Sequence, residues 1–453
     1  MRIAIVGAGP SGFFAAGHLL AAGHEVDLFD RLPTPWGLVR GGVAPDHPNI
    51  KSVSRVFEKI ASRPGFRFFG NVEVGRDVAH EQLLDWHHAV VYAVGTAIDR
   101  RSGVPGEELP GSHSATEFVG WYNGHPDFRD RRFDLSGERA IVIGNGNVAI
   151  DVARMLTLTG DELAVTDAAD HAIEALAASR IREIVVLGRR GPHQAAFTNP
   201  ELLELGELSD ADVVVDPRDL EVDPLVADAE LDETVEQTLE ILGGYARRRP
   251  SAAARKRVVL RFLASPVELV GDGRVEAVRV VRNRLVRDER GVVRAQPTEV
   301  TEELPAGIVF RAIGYRGVAV PGLPFDERSG LIPNDGRGRV TGAARTYVAG
   351  WIKRGPSGVI GTNKRCAIDT AKALLEDAEA GVLGSRPVPE ADAVERALRE
   401  RVPDLVDQAG WQSIDAAERA AGEPAGRPRV KLTTVAELLQ AAGAAAGKEA
   451  ALR

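Results

Sequence analysis

The chain has 453 residues, of which 44% are hydrophobic and 27% charged, with a formal net charge of −9. These are the proportions of a folded, water-soluble protein with room for two or three domains; no apolar run approaches the roughly 18 residues of a membrane span, and the acidic balance argues against a nucleic-acid partner. The single cysteine, Cys366, rules out a disulfide framework, a CxxC redox pair and a cysteine-ligated iron–sulfur cluster, so redox chemistry here needs a bound organic cofactor.

Met1 and Arg2 lead straight into an aliphatic strand at 3–6, which sets the expectation of a cytosolic chain with no targeting segment. With a helix at 11–22 and a strand at 25–29 it makes a βαβ unit, and the helix carries Ala15, Ala16 and Gly17 where it must pack closely on a sheet. The intervening turn, GAGPSG, fits G-x-G-x-x-G. Gly7 permits the tight turn, Gly9 lets backbone approach a pyrophosphate, and Gly12 lets helix and strand pack closely; Pro10 and Ser11 open a helix whose N–H groups face the phosphates. Asp30 ends the next strand, VDLFD, where an acid accepts hydrogen bonds from an unphosphorylated ribose, as FAD would present.

The doublet His87-His88 reads as a solvated turn, and the ten histidines form no metal-binding spacing, so no metal site is expected. The strand AVVYAVG, 89–95, closes the first portion of the chain. FVGWYNGHPDF, 118–128, resembles the FxGxxxH signature of N-hydroxylating flavin monooxygenases but has four residues between Gly120 and His125 instead of three. It reads as a helix and its turn in the second domain.

A second βαβ unit spans a strand at 140–143, a helix at 147–158 and the strand of IREIVVLGRRG, 181–191. Gly144, Gly146 and Ala149 form its glycine turn, with 157–180 as an insertion beyond the usual ~20-residue gap. Its second strand ends in Arg189-Arg190, not in an acid. Two guanidiniums can clamp a ribose 2′-phosphate that an acid would repel, so this turn reads as an NADP site. Strand-like alternation at 257–263 and 275–281 predicts an antiparallel piece. GIVFRAIGYRG, 307–317, echoes 89–95, as paired crossings of a discontinuous domain would. The expected fold is therefore α/β, with two Rossmann-like dinucleotide-binding domains. RRRPSAAARKR places Arg247, Arg248, Arg249, Arg255, Lys256 and Arg257 in a basic island within an acidic chain, a candidate docking patch for an acidic partner. The C-terminal stretch 435–453 predicts an amphipathic helix with a frayed end.

PTPWGLVRGGVAPDHPNIK, 33–51, with GNGNVA, GRRGPHQAAF and WIKRGPSGVIGTN, resembles the ferredoxin–NADP reductases of the adrenodoxin-reductase type, the bacterial members especially. The resemblance spans nearly the whole chain. It implies non-covalent FAD and NADPH/NADP+ as cofactors, a ferredoxin as partner, an FAD domain built from 1–98 and 317–453, and an NADP domain, 99–316, inserted between them. It also implies that Leu38 lies along the flavin, Val74 near the adenine, and Trp351, Gly358, Val359 and Ile360 at the isoalloxazine. For NADP it implies contacts from Arg100, Asn145, Gly146, Asn147, Val148, Arg189, Arg190, Glu201 and Gly358. The resemblance also implies that His47 and Glu204 fall near the reacting rings, where a histidine can relay a proton. GPSGVIGTNK runs into a helix predicted to begin near Thr362, whose N–H groups would face the negative edge of reduced flavin. Two rival readings remain: an electron-input subunit of a larger complex, disfavoured by the lone cysteine, and a silent NADPH sensor, disfavoured by the intact flavin-facing loops.

Overall fold

The computed structural model describes residues 1–221, 232–249, 251, 254–384 and 386–443. They form two compact units: Met1–Ile98, Asn123–Arg129 and Gly314–Arg453 make the first, Asp99–Tyr122 and Asp130–Ile313 the second.

The first unit is organised by a five-stranded sheet in which all neighbours are parallel, in spatial order Thr346–Val348, Ala89–Tyr92, Arg2–Val6, Glu25–Phe29, Phe66–Phe69. Its central strands are near-continuous apolar runs because both faces are covered, as parallel sheets require. One face packs on Phe13, Ala15, Ala16 and Leu19 of the helix Pro10–Ala21 and on Ala367, Ala371 and Leu374 of the helix Ile360–Glu379. The other gathers Phe29, Val90, Tyr92 and Val348 with Val394 and Leu398 of the helix Ala391–Arg401.

The second unit holds a six-stranded parallel sheet in the order Ser112–Ser114, Ile308–Arg311, Arg139–Ile143, Glu183–Leu187, Lys256–Arg261, Ala211–Val215. An antiparallel three-stranded sheet, Ala264–Val270, Ala277–Arg287 and Val293–Pro305, follows. The insertion 157–180 is helical, Gly160–Ala164 and Asp170–Ala177.

Three readings of the sequence change here. The run at 257–263 is not antiparallel: Lys256–Arg261 pairs in parallel on both sides, and the antiparallel piece begins after it. Alternation alone cannot tell these pairings apart, because both put side chains on alternate faces. The segment 118–128 is divided. The helix Ala115–Tyr122 belongs to the second unit except for its turn, Asn123–Arg129, which folds with the first, where Asp127 pairs with Arg31 at 2.6 Å. The pair His87-His88 is no solvated turn: His87 is fully buried, its Nδ1 2.9 Å from the Leu83 carbonyl and its Nε2 2.8 Å from Asp27 Oδ2. A buried carboxylate must be paired, and Asp27 is held by His87 on one side and bidentately by Arg67 on the other, at 2.8 and 2.6 Å. Burial alone would raise its pKa, but these partners hold it below the ordinary aspartate value. At the C-terminus the helix is Val435–Ala441, started by a Thr434/Glu437 capping box; 444–453 lie outside the described residues.

Candidate functional sites

Each unit carries a glycine turn at the C-terminal end of a central strand. Gly7 has φ +106°, and a Cβ there would lie 2.5 Å from the Ala93 carbonyl oxygen; Gly144 has φ +123°, and a Cβ would lie 2.8 Å from the Ala312 carbonyl carbon and nearer still to its oxygen. Both turns open helices, Pro10–Ala21 after Gly9 and Asn147–Thr157 after Gly146, and neither helix has a side-chain cap at its N-terminus. Their first N–H groups remain available to a phosphate, with the helix dipole in support.

In the first unit two loops converge on this turn. Gly37 approaches so closely that a Cβ on it would lie 2.9 Å from Gly9 Cα, and a Cβ on Gly350 would lie 2.9 Å from Ser11 Cβ. The first loop presents Leu38, 44% exposed; the second leads through Trp351 to Gly358 and Val359, 55% exposed. The Trp351 indole Nε1 is buried with no hydrogen-bond partner among the described residues, while Tyr315 stacks on the ring at 5.6 Å. Exposed aliphatics and an orphaned buried donor beside a pyrophosphate-type turn fit a flat heteroaromatic group carrying acceptor atoms. The helix after this loop starts at Ile360, two residues earlier than expected, again without a side-chain cap. Arg354 cinches the loop, donating to the Ser357 carbonyl at 2.5 Å and to Asn363 Oδ1 at 2.7 Å; nothing in the sequence pattern marked it. Asp30 accepts from the N–H groups of Ala8 at 2.8 Å and Leu32 at 3.0 Å, which leaves lone pairs for a hydroxyl. Burial pushes its pKa up against those two bonds. Val74, partly buried, packs at the edge of the cluster containing Val72 and Val78.

In the second unit the expected residues divide into scaffold and contact groups. Asn145 packs beside Gly188, and Asn147 Oδ1 accepts the Thr198 N–H at 2.8 Å; the Thr198 hydroxyl in turn donates to Glu201. Val148 is the second residue of the helix Asn147–Thr157, and Arg100 follows the crossing into this unit. The backbone of Arg189 and Arg190 is pinned by Asn283 Nδ2 at 2.8 Å and the Leu263 N–H at 3.1 Å. Their guanidiniums are not: among the described residues neither has a carboxylate partner, and Arg190 reaches only the Gln194 carbonyl, at 3.5 Å. Burial, then the neighbouring Arg189, lowers the pKa of Arg190. Two adjacent cations without an anion form a ready receptor for a phosphate dianion.

His47 lies in the first unit, buried, its N–H donating to the Ala44 carbonyl at 3.1 Å; Glu204 lies in the second, 3.5 Å from Arg154. The basic island is not uniform. Arg247, Arg248 and Arg249 end the helix Glu233–Arg247, with Arg248 over the Tyr245 ring at 4.7 Å. Arg255 pairs with Asp210, Arg257 with Glu183, and Lys256 Nζ donates to the carbonyls of Leu156 and Thr157 at the end of the helix Asn147–Thr157. Those three have partners within the protein, yet the guanidiniums of Arg255 and Arg257 stay largely exposed within their ion pairs, and Arg247, Arg248 and Arg249 are exposed as well.

Comparison with known proteins gives three findings. A family profile described as pyridine nucleotide-disulphide oxidoreductase matches residues 1–186. The NADPH-ferredoxin reductase FprA of Mycobacterium tuberculosis is 54% identical over 97% of this chain and 98% of its own, and its solved structure in complex with NADPH superposes with a TM-score of 0.94 over 97% of this chain and 99% of that one. The mitochondrial NADPH:adrenodoxin oxidoreductase of Salvelinus fontinalis is 41% identical over 98% of this chain and 91% of its own.

Proposed function

The chain belongs to the ferredoxin–NADP reductases of the adrenodoxin-reductase type, and from that membership we infer that it is a flavoprotein oxidoreductase that passes a hydride from NADPH to FAD and then single electrons to a ferredoxin. The observation that carries the reading is the pair of glycine turns with opposite charge at the following strand, Asp30 in one and Arg189-Arg190 in the other. Bound FAD supplies the conversion between two-electron and one-electron chemistry.

The protein's own residues bind and orient. The first unit is the FAD domain: Gly7, Gly9 and the start of the helix Pro10–Ala21 receive the pyrophosphate, Asp30 the ribose, and the Leu38 and Trp351 loops the ring system. The second unit is the NADP domain, in which Arg189 and Arg190 select the 2′-phosphate. Gly358 turns the chain into the helix Ile360–Glu379, whose uncapped N-terminus favours negative charge on the bound ring. His47, enclosed within its loop, holds a proton at an imidazole nitrogen for the flavin. The ferredoxin is an acidic one that docks at Arg247–Arg249, and the enzyme works in the cytoplasm; among the described residues no helix is long and apolar enough to cross a membrane. In an anaerobic stopped-flow experiment NADPH bleaches the flavin absorbance and oxidised ferredoxin restores it. Release of FMN, or a freshly folded protein without flavin, overturns the reading.

A further inference from the structure

The turn that carries Leu38 is fastened by residues from the far end of the chain. Glu418, in the helix Gln408–Gly422, is wholly buried and accepts a bidentate pair from Arg40, at 2.8 and 2.5 Å. The same carboxylate accepts from Arg429 at 3.1 Å and from the Leu432 N–H at 2.9 Å. Lys431 Nζ donates to the Arg40 carbonyl at 3.2 Å, so the turn Leu38–Gly41 is held by both side chain and backbone. Two residues earlier Trp36 has φ +83°, a conformation a bulky residue adopts only when its surroundings impose it. Trp411 meets its ring edge-on at 4.8 Å, and Arg429 lies 5.5 Å from the ring centroid. On its other side Trp36 donates its N–H to the Ala8 carbonyl at 2.8 Å, inside the glycine turn. The strained residue therefore sits between the C-terminal helices and the turn that receives the pyrophosphate.

We propose that Glu418 is a positioning residue of the flavin site: through Arg40 it fixes the Leu38 turn, and through Arg429 and Trp36 it keeps that turn against Gly9. This rests on the function proposed above. A carboxylate taken wholly out of water adds little net stability even when paired, but it sharply disfavours any arrangement in which a partner is lost. Arg429 is itself held by Asp415 at 2.7 Å, so Glu418 ties the Leu38 turn, through Arg40, to a cation and a backbone N–H that are already fixed. Removing the charge frees the turn while Leu38, Gly37 and Gly9 stay chemically intact.

The test uses the FAD-loaded Glu418→Gln protein, which keeps the side-chain volume. Visible circular dichroism of the flavin should change, and FAD release on dilution should speed up about tenfold, a part of what breaking a buried pair costs. The affinity of the second unit for 2′-AMP, read by calorimetry, should stay as it was. If Gln at 418 prevents folding, Arg40→Lys, which keeps the positive charge and loses the fork, must give the same dichroism change. A holoprotein with unaltered dichroism and FAD release, even one that melts at lower temperature, overturns the proposal and leaves Glu418 a stabiliser of the C-terminal helices. Failure of the wild-type protein to take up FAD would overturn the functional reading instead.

Discussion

At Gly7 and at Gly144 the chain performs the same manoeuvre: a parallel strand ends, φ turns to +106° or +123°, and a helix begins with its first N–H groups uncapped. Beyond that shared backbone the two regions diverge. Asp30 has its carboxylate tied to the glycine loop itself, through Ala8, and is pushed toward its neutral form by burial. Arg189 and Arg190 have their backbone fixed and their charges unmatched among the described residues. The first turn is thus furnished with acceptors for hydroxyls, the second with donors for an anion. On the proposed function, backbone geometry selects a dinucleotide and the charge at the end of the neighbouring strand selects which one.

The sharpest way to break the comparison is to add a methyl group at either turn. Gly7→Ala should leave the protein unable to retain FAD. Gly144→Ala should yield a yellow protein whose reduction by NADPH is slower by about 100-fold or more, since the carbonyl overlap adds to ~1–3 kcal/mol of backbone strain. Equal loss of flavin from both variants would show that the turns are not independent. Next in size, replacing Arg189 and Arg190 together by alanine should raise KM for NADPH by about one to three orders of magnitude, at roughly 1.5–3 kcal/mol per charge-assisted bond. KM for NADH should barely move, and parallel losses would make the pair structural.

Acid provides a third contrast. Asp27 titrates below its unfolded value in the first unit, so its contribution is present above the unfolded aspartate pKa of about 3.9 and is lost as pH falls through the lower folded value. The temperature at which FAD is released should drop over that window, and Asp27→Asn should flatten the dependence while lowering the whole curve. A variant with the wild-type slope would assign the acid sensitivity elsewhere. The smallest effect is expected at the surface. Raising salt toward ~0.15 M, where the screening length is about 8 Å, should slow ferredoxin reduction a few-fold and leave NADPH-driven flavin reduction unchanged. Charge reversal at Arg248 and Arg249 should do the same. Ferredoxin turnover indifferent to both would remove the arginine cluster from the docking face.

Much of the fold and of both turns was legible because the information is contiguous. An aliphatic run, a glycine turn, a small-residue helix and the residue ending the next strand lie within some thirty positions of one another in the first βαβ unit, and within about fifty in the second, where two further helices intervene. Gly7, Asp30, Gly144, Arg189 and Arg190 therefore declare their chemistry in the order of the residues. What tertiary structure alone decided are matters of partner and burial. His87 looks like a polar turn until Asp27, 60 positions away, closes on it inside the core. Lys256 looks like part of a docking patch until its ammonium is spent on the carbonyls ending the helix Asn147–Thr157. Asn123–Arg129 follows a helix of one unit and folds with the other. Arg40 and Glu418 stand 378 positions apart, and no local pattern records that one charge is waiting for the other. Periodicity and turn chemistry act over a few residues and can be read along the chain. Desolvation acts on whatever the folded chain brings together, and only the completed packing says which charges must find each other.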